Sequence, residues 1–179
     1  MATKSLPPGG GGAILTNDDE LGKLAKHLTT TARVPHKWTF SHDRIGYNYR
    51  LPNINAALGC AQLEQLPGFI KNKRMLAENY QRAFSGIEGI KIFSEPGFAQ
   101  SNYWLNTLLL DEGFASQRDA LLEATNNMGI MTRPAWTLMH ELEMYKSCPR
   151  MDSLSISEDI EQRLINIPSS PYLNKSSLK

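Results

Sequence analysis

Cysteine is scarce in this chain: Cys60 and Cys148 are its only two, 88 positions apart, with no CxxC pair and no histidine cluster at metal-ligand spacing beside either. A disulfide framework and a thiolate metal site are both excluded on that count, and two free thiols in a cytoplasmic protein is the expectation. Charge of either sign is also lacking in excess. Nineteen basic residues face eighteen acidic ones, a net +1, so no overall field attracts a nucleic acid or an anionic membrane surface. No apolar run approaches the roughly 20 residues that cross a bilayer, and the start MATKSLPPGGGG carries no signal-peptide core. Nothing suggests a Ser-His-Asp nucleophile or paired carboxylates placed for acid-base work.

What is present is an ordinary globular composition. Hydrophobic residues make up 41% of 179, enough for one sizeable core, alone or with an appendage. The run Pro7 to Gly12 cannot be helix interior, because proline lacks the amide donor and glycine loses most entropy on ordering. It is expected to lead into a strand at 13–16. Asn17 and Asp18 offer capping oxygens, and Leu21, Leu24, Ala25 and Leu28 recur at helical spacing, which predicts a helix over 18–30. Residues 32–53 mix prolines, histidines and aromatics without a period and read as an ordered loop. From Ile54 the small residues of AALGCAQLEQL, and then Phe69, Ile70, Lys73, Leu76, Ala77, Tyr80 and Phe84, predict one long helix kinked or broken near Pro67. Strands follow at 90–93 and 103–110. A helix over 116–127, with Ser116 as cap and Asp119 three positions on, is expected to stop at Gly129. A third strand over 130–136, broken at Pro134, and a short helix over 157–164 complete an α/β reading with a mostly antiparallel sheet.

Three stretches could carry chemistry. Gly46-Tyr47-Asn48-Tyr49-Arg50-Leu51-Pro52-Asn53 sets amides and a guanidinium in an aromatic-flanked loop. Asn48 can donate to an anion and Arg50 can grip one through two parallel bonds; equally, Arg50 could pair with a carboxylate while Tyr47 and Tyr49 pack. Thr132-Arg133-Pro134-Ala135-Trp136 with Met139-His140 is the second. Trp136 and His140 could stack on one another or on a sugar ring, and Arg133 could take a phosphate or carboxylate; a structural Trp with an exposed His is the alternative. In the third, Lys4 precedes four glycines that are neither a Walker A loop nor a dinucleotide fingerprint. His36, Trp38, His42 and Arg44 add an aromatic and basic cluster.

The continuous run GYNYRLPNINAALGCAQLEQL closely resembles the GYN-R segment of the DegT/DnrJ/EryC1/StrS sugar aminotransferases. It is followed, as there, by a long helix carrying Lys73-Arg74 and Tyr80, and the closing Arg163 to Pro168 segment resembles that family's as well. The resemblance implies the C-terminal part of a fold-type I transferase dependent on pyridoxal phosphate. Residues 1–53 would be the remnant of the large cofactor domain, 54–86 a connecting helix and 87–179 a small α/β domain. It also implies roles. Lys4 stands where the family has its Schiff-base lysine, although Met1-Ala2-Thr3 and Pro7-Pro8 depart from the family's flanking residues, and from those residues alone Lys4 reads as a surface lysine. Asn48 would reach the cofactor phosphate across a dimer, and Arg50 the partner's substrate site. Arg133, Trp136 and His140 would line the mouth that receives a nucleotide sugar. Glutamate is the implied amino donor and no metal is implied. The family's aromatic wall and ring-nitrogen acid lie upstream of this stretch, so the resemblance implies a chain silent alone. It would self-associate as a dimer, be completed by an N-terminal half in trans, or serve as a non-catalytic assembly module.

Overall fold

The computed structural model describes residues 10–151 and 153–173. The chain divides into two compact units, Met1–Leu66 and Pro67–Lys179.

In the first unit, helix α1 (Asp19–Thr29) begins where Asp18 accepts from the amides of Glu20 and Leu21 at 2.9 and 3.0 Å. A cap of this kind stabilises a helix by about 1 kcal/mol. Asp19 and Glu20 in the first turn and Lys26 and His27 in the last complement the helix dipole. The expected strand at 13–16 does not form: the segment is irregular, with Ile14 and Leu15 64% and 92% exposed. A strand requires a neighbour to take its amides and carbonyls, and no described residue supplies one. The loop after α1 is more ordered than its composition suggests. Two short antiparallel strands, β1 (Arg33–Val34) and β2 (Ser41–His42), make a hairpin inside it.

Helix α2 (Asn53–Phe84) runs 32 residues as the one long helix expected and passes through Pro67 without interruption, so of the two alternatives there, kink or break, the break is absent. Proline removes one amide, which turns on either side bridge when the flanking residues are good helix formers. Gly86, with φ 82°, ends the segment in the left-handed region that glycine adopts at no steric cost.

The second unit is built on a four-stranded antiparallel sheet of order β3-β4-β6-β5, formed by β3 (Ile90–Ile92), β4 (Asn106–Leu110), β5 (Arg133–Pro134) and β6 (Leu164–Ile167). In register, Leu108 of β4 pairs with Ile92 of β3 on one side and Ile165 of β6 on the other. Asn106, Leu108 and Leu110 alternate onto the buried face of β4. Leu108, Leu110, Ile165 and Ile167 form the core, and Tyr80 and Phe84 of α2 pack on it with Leu121 and Leu122 of α3 (Arg118–Asn127). The Ser116 cap is not made. A 3₁₀ segment, Glu112–Gln117, runs straight into α3, so Ser116 already lies inside a helical turn and Gln117 takes the cap position without a side-chain bond. The stop at Gly129 is a Schellman arrangement, with Ile130 N donating to Thr125 O at 2.9 Å and Gly129 N to Asn126 O at 3.0 Å. Helix α4 (Ser155–Arg163) leads into β6 with no turn between, and β6 was not expected from the sequence.

Candidate functional site

The Gly46 loop is held to the end of α1 by backbone bonds: Tyr47 N donates to Leu28 O at 2.7 Å, Thr31 N to Tyr47 O at 3.0 Å and Tyr49 N to Thr29 O at 2.9 Å. The fit explains the glycine. A Cβ at Gly46 would stand 2.5 Å from the Ala32 nitrogen and the Thr31 carbonyl carbon, where Thr31 and Ala32 themselves take φ of 72° and 50°. This close approach carries Asn48 and Arg50 to one edge. The Arg50 guanidinium donates to Asn48 Oδ1 at 2.9 Å and to Thr30 O at 3.1 Å. Neither acceptor is a carboxylate, so among the described residues the Arg50 charge has no anionic partner. Tyr47 and Tyr49 stack on each other with centroids 5.3 Å apart. Beside them lies a concavity of about 490 Å³, whose lining includes Gly10 to Gly12, Tyr49, Arg50 and Asn55, with no acidic residue among the described ones. Asn55 Nδ2 donates to Gly10 O at 2.9 Å and so ties the glycine segment to the start of α2. Lys4 lies outside the described residues.

Near the hairpin, His36 meets the Trp38 ring edge-on, and Arg33 lies over Phe40 at 4.2 Å. A pair that sequence reading missed, His27 Nε2 and Asp43 Oδ1 at 2.6 Å, joins α1 to the loop. The hydrogen bond from His27 holds the Asp43 carboxyl below the usual range.

In the second unit a concavity of about 650 Å³ is lined in part by Trp104, Arg133, Trp136, Asn166 and Ser169. Trp136 stacks on Trp104, with centroids 5.9 Å apart and planes 23° from parallel. Arg133 reaches Asn126 Oδ1 at 2.9 Å and Thr132 O at 2.8 Å, again without a carboxylate. The structure brings Arg133 and Trp136 together and leaves His140 outside this lining. His140 Nε2 stands 3.0 Å from Glu158 Oε1, linking a 3₁₀ turn to α4. Trp136 therefore has Trp104, and not His140, as its ring partner.

Behind the tryptophans, two consecutive cations of α2 address one loop. Lys73, 8% exposed, donates from Nζ to the carbonyls of Tyr103, Trp104 and Ser169 at 3.2, 3.3 and 2.6 Å. Burial pushes its pKa below that of an ordinary lysine. Arg74 pairs with Glu95 through both terminal guanidinium nitrogens and donates to Ser101 O at 2.8 Å. That bond, and then the Ser101 amide, hold the Glu95 carboxyl below the usual range. Among the described residues no group of three His, Cys, Asp or Glu side chains could hold a metal ion, and no helix is long and apolar enough to cross a membrane.

A sequence profile of the DegT/DnrJ/EryC1/StrS aminotransferase family matches residues 1–179. The chain is 33% identical over 179 residues to a GDP-perosamine synthase of Vibrio cholerae, covering 100% of this chain and 48% of that protein. The same identity is found over 178 residues with the enzyme of that name from Escherichia coli O157:H7, covering 99% and 47%. This chain thus spans about half the length of the curated relatives it matches. Among solved structures it is similar to Helicobacter pylori PseC, described as an aminotransferase involved in the biosynthesis of pseudoaminic acid. The TM-score is 0.78 at 24% identity, over 90% of this chain and 44% of that one, a likeness of fold.

Proposed function

Because the chain belongs to the DegT/DnrJ/EryC1/StrS aminotransferase family, we propose that it is the C-terminal part of an enzyme that moves an amino group from glutamate to a nucleotide-linked keto-sugar. The observation that carries the substrate class is the stacked Trp104–Trp136 pair beside Arg133. Flat indole faces favour a base or sugar ring, and a guanidinium with no carboxylate partner favours a phosphate. The relatives named GDP-perosamine synthase favour a GDP-linked sugar.

Pyridoxal phosphate is the cofactor that the family implies, and when bound it supplies the electron sink for the transfer. The residues of the first unit fit its phosphate end: Arg50 offers a forked cation, and Asn48, whose Oδ1 is taken by Arg50, keeps its amide donors for an anion. They do not fit its ring, since no acidic residue among those described lines the concavity to meet the ring nitrogen. The contribution of this chain is therefore anion binding by Asn48 and Arg50 toward a neighbouring subunit, substrate contact by Arg133 and Trp136, and a lysine at position 4. His140, placed on Glu158, contributes by tying the turn after Trp136 to α4. A second reading, a non-catalytic assembly module, draws on Ile54, Leu58 and Leu63, which are 83%, 41% and 56% exposed along α2.

The test adds equimolar pyridoxal phosphate to the purified chain, reduces with borohydride, and maps the modified lysines by mass spectrometry. Scattered labelling over Lys4, Lys23, Lys26 and Lys37 is expected from the chain alone, and exclusive labelling of Lys4 once a cofactor-binding half is supplied. Exclusive, stoichiometric labelling of Lys4 without that half would overturn the proposed silence. Scattered labelling that persists with it would favour the assembly module.

A further inference from the structure

A buried charge that plays no part in the proposed chemistry bonds the backbone of Trp104, one member of the tryptophan pair of the second unit. Lys73 presents three N–H donors, and three carbonyls accept them. No carboxylate among the described residues pairs with it, so carbonyl dipoles alone hold the ammonium. Two of the carbonyls belong to consecutive residues, Tyr103 and Trp104, in a turn where Tyr103 itself takes φ of 45°. A non-glycine residue stays in that left-handed region only where its surroundings enforce it. Here they do so from both sides. Tyr103 is 7% exposed with the Arg74 guanidinium 5.6 Å from its ring centroid, while Ser101 Oγ accepts from the Tyr103 amide at 2.9 Å. The third carbonyl, that of Ser169, belongs to a second segment lining the same concavity, and Ser169 Oγ in turn accepts from Asn106 N at 2.7 Å.

We infer that Lys73 is a positioning residue of this concavity: one ammonium grips the backbone of Trp104 and of Ser169, and thereby fixes these two lining segments and the Trp104–Trp136 stack. The ligand that the stack meets rests on the proposed nucleotide-sugar reading; the positioning itself does not. A methionine at 73 would fill similar volume and leave three inward carbonyls without a donor, so the turn at Tyr103 would relax and carry the Trp104 ring out of register with Trp136.

The experiment uses the full chain in a Trp38→Phe background, which leaves only the two stacked indoles. Two indoles at this spacing give an exciton couplet in far-ultraviolet circular dichroism, assigned by its loss in Trp136→Phe. The expected order of couplet amplitude is parent, then Lys73→Arg, then Lys73→Gln, with Lys73→Met below half of the parent. It is measured in whichever of these variants melt cooperatively. A purely structural role would lower the melting temperature and leave the couplet of the folded protein unchanged; an unchanged couplet in any folded Gln or Met variant overturns the inference. GDP is the ligand probe, read by quenching of the same indoles. If GDP fails to quench the parent while the couplet still falls in Lys73→Met, the substrate reading is lost and the positioning stands.

Discussion

Replacing Gly46 with alanine is the sharpest perturbation of the candidate anion site, because it adds one methyl group and nothing else. The new Cβ would lie 2.5 Å from two backbone atoms of Thr31 and Ala32 and 2.8 Å from the Ala32 Cβ. Relief requires a backbone shift of about 1 Å, since contacts below about 3.4 Å between such atoms are repulsive. A shift of that size takes Tyr47 N to Leu28 O, now 2.7 Å, and Thr31 N to Tyr47 O, now 3.0 Å, beyond hydrogen-bonding range. Overpacking of this kind costs about 1–3 kcal/mol and each of the two lost bonds about 1 kcal/mol, so Gly46→Ala should weaken the loop by about 3–5 kcal/mol. Hydrogen exchange at the Thr31 and Tyr47 amides is the assay, and opening should become roughly 150- to 4000-fold more frequent. Gly68→Ala is the control: it lies inside α2 with nothing within 4 Å of an added Cβ, and should stabilise by about 0.5–1 kcal/mol. Unchanged protection at Thr31 and Tyr47 in Gly46→Ala would refute the argument that glycine is there for close backbone approach.

Three further outcomes are expected. Arg50→Ala should abolish the rise in melting temperature that phosphate gives an assembled dimer, and wild-type monomer should show no such rise; a phosphate effect that survives the substitution removes Arg50 from the site. Leu110→Ala, at a position 1% exposed in the sheet core, should cost about 2–5 kcal/mol in a denaturant melt. The Glu95 carboxyl is held down by Arg74, so its contribution is present above the ordinary carboxylate range and is lost as pH falls through the lowered folded value. Glu95→Gln should therefore flatten the acid limb of stability against pH, and an unchanged limb would count against the pairing.

Elements with a complete local signal were legible in the sequence. Helix α1 combines the Asp18 cap with periodic leucines, and the Gly129 stop needs only glycine's left-handed conformation. Misreadings arose where a partner decides. Residues 13–16 have strand composition, but a strand exists only when something takes its hydrogen bonds. β6 escaped because Arg163 passes from helix to strand with no turn residue between them, while Arg163 itself is anchored to Asp159 and to Leu110 O at 2.5 Å. The candidate site was legible in parts. Arg133 and Trp136 stand out in sequence, whereas Trp104 is 32 positions away and joins them only through the pairing of β4 and β5 with β6. Lys73 looked like one more residue of a helical repeat, since three carbonyl acceptors leave no trace in side-chain spacing.

The strand order β3-β4-β6-β5 sets a timetable for synthesis. β6 lies between β4 and β5, both made earlier, so neither of those two can complete its pairing until Ile167 exists. At the usual pace of translation the gap between β4 and β6 lasts roughly 3–11 s, during which the apolar face of Leu108 and Leu110 has only the β3 hairpin and nearby helices to cover it. A nascent chain paused before Leu164 should therefore be a chaperone client, and one released just past Ile167 should not.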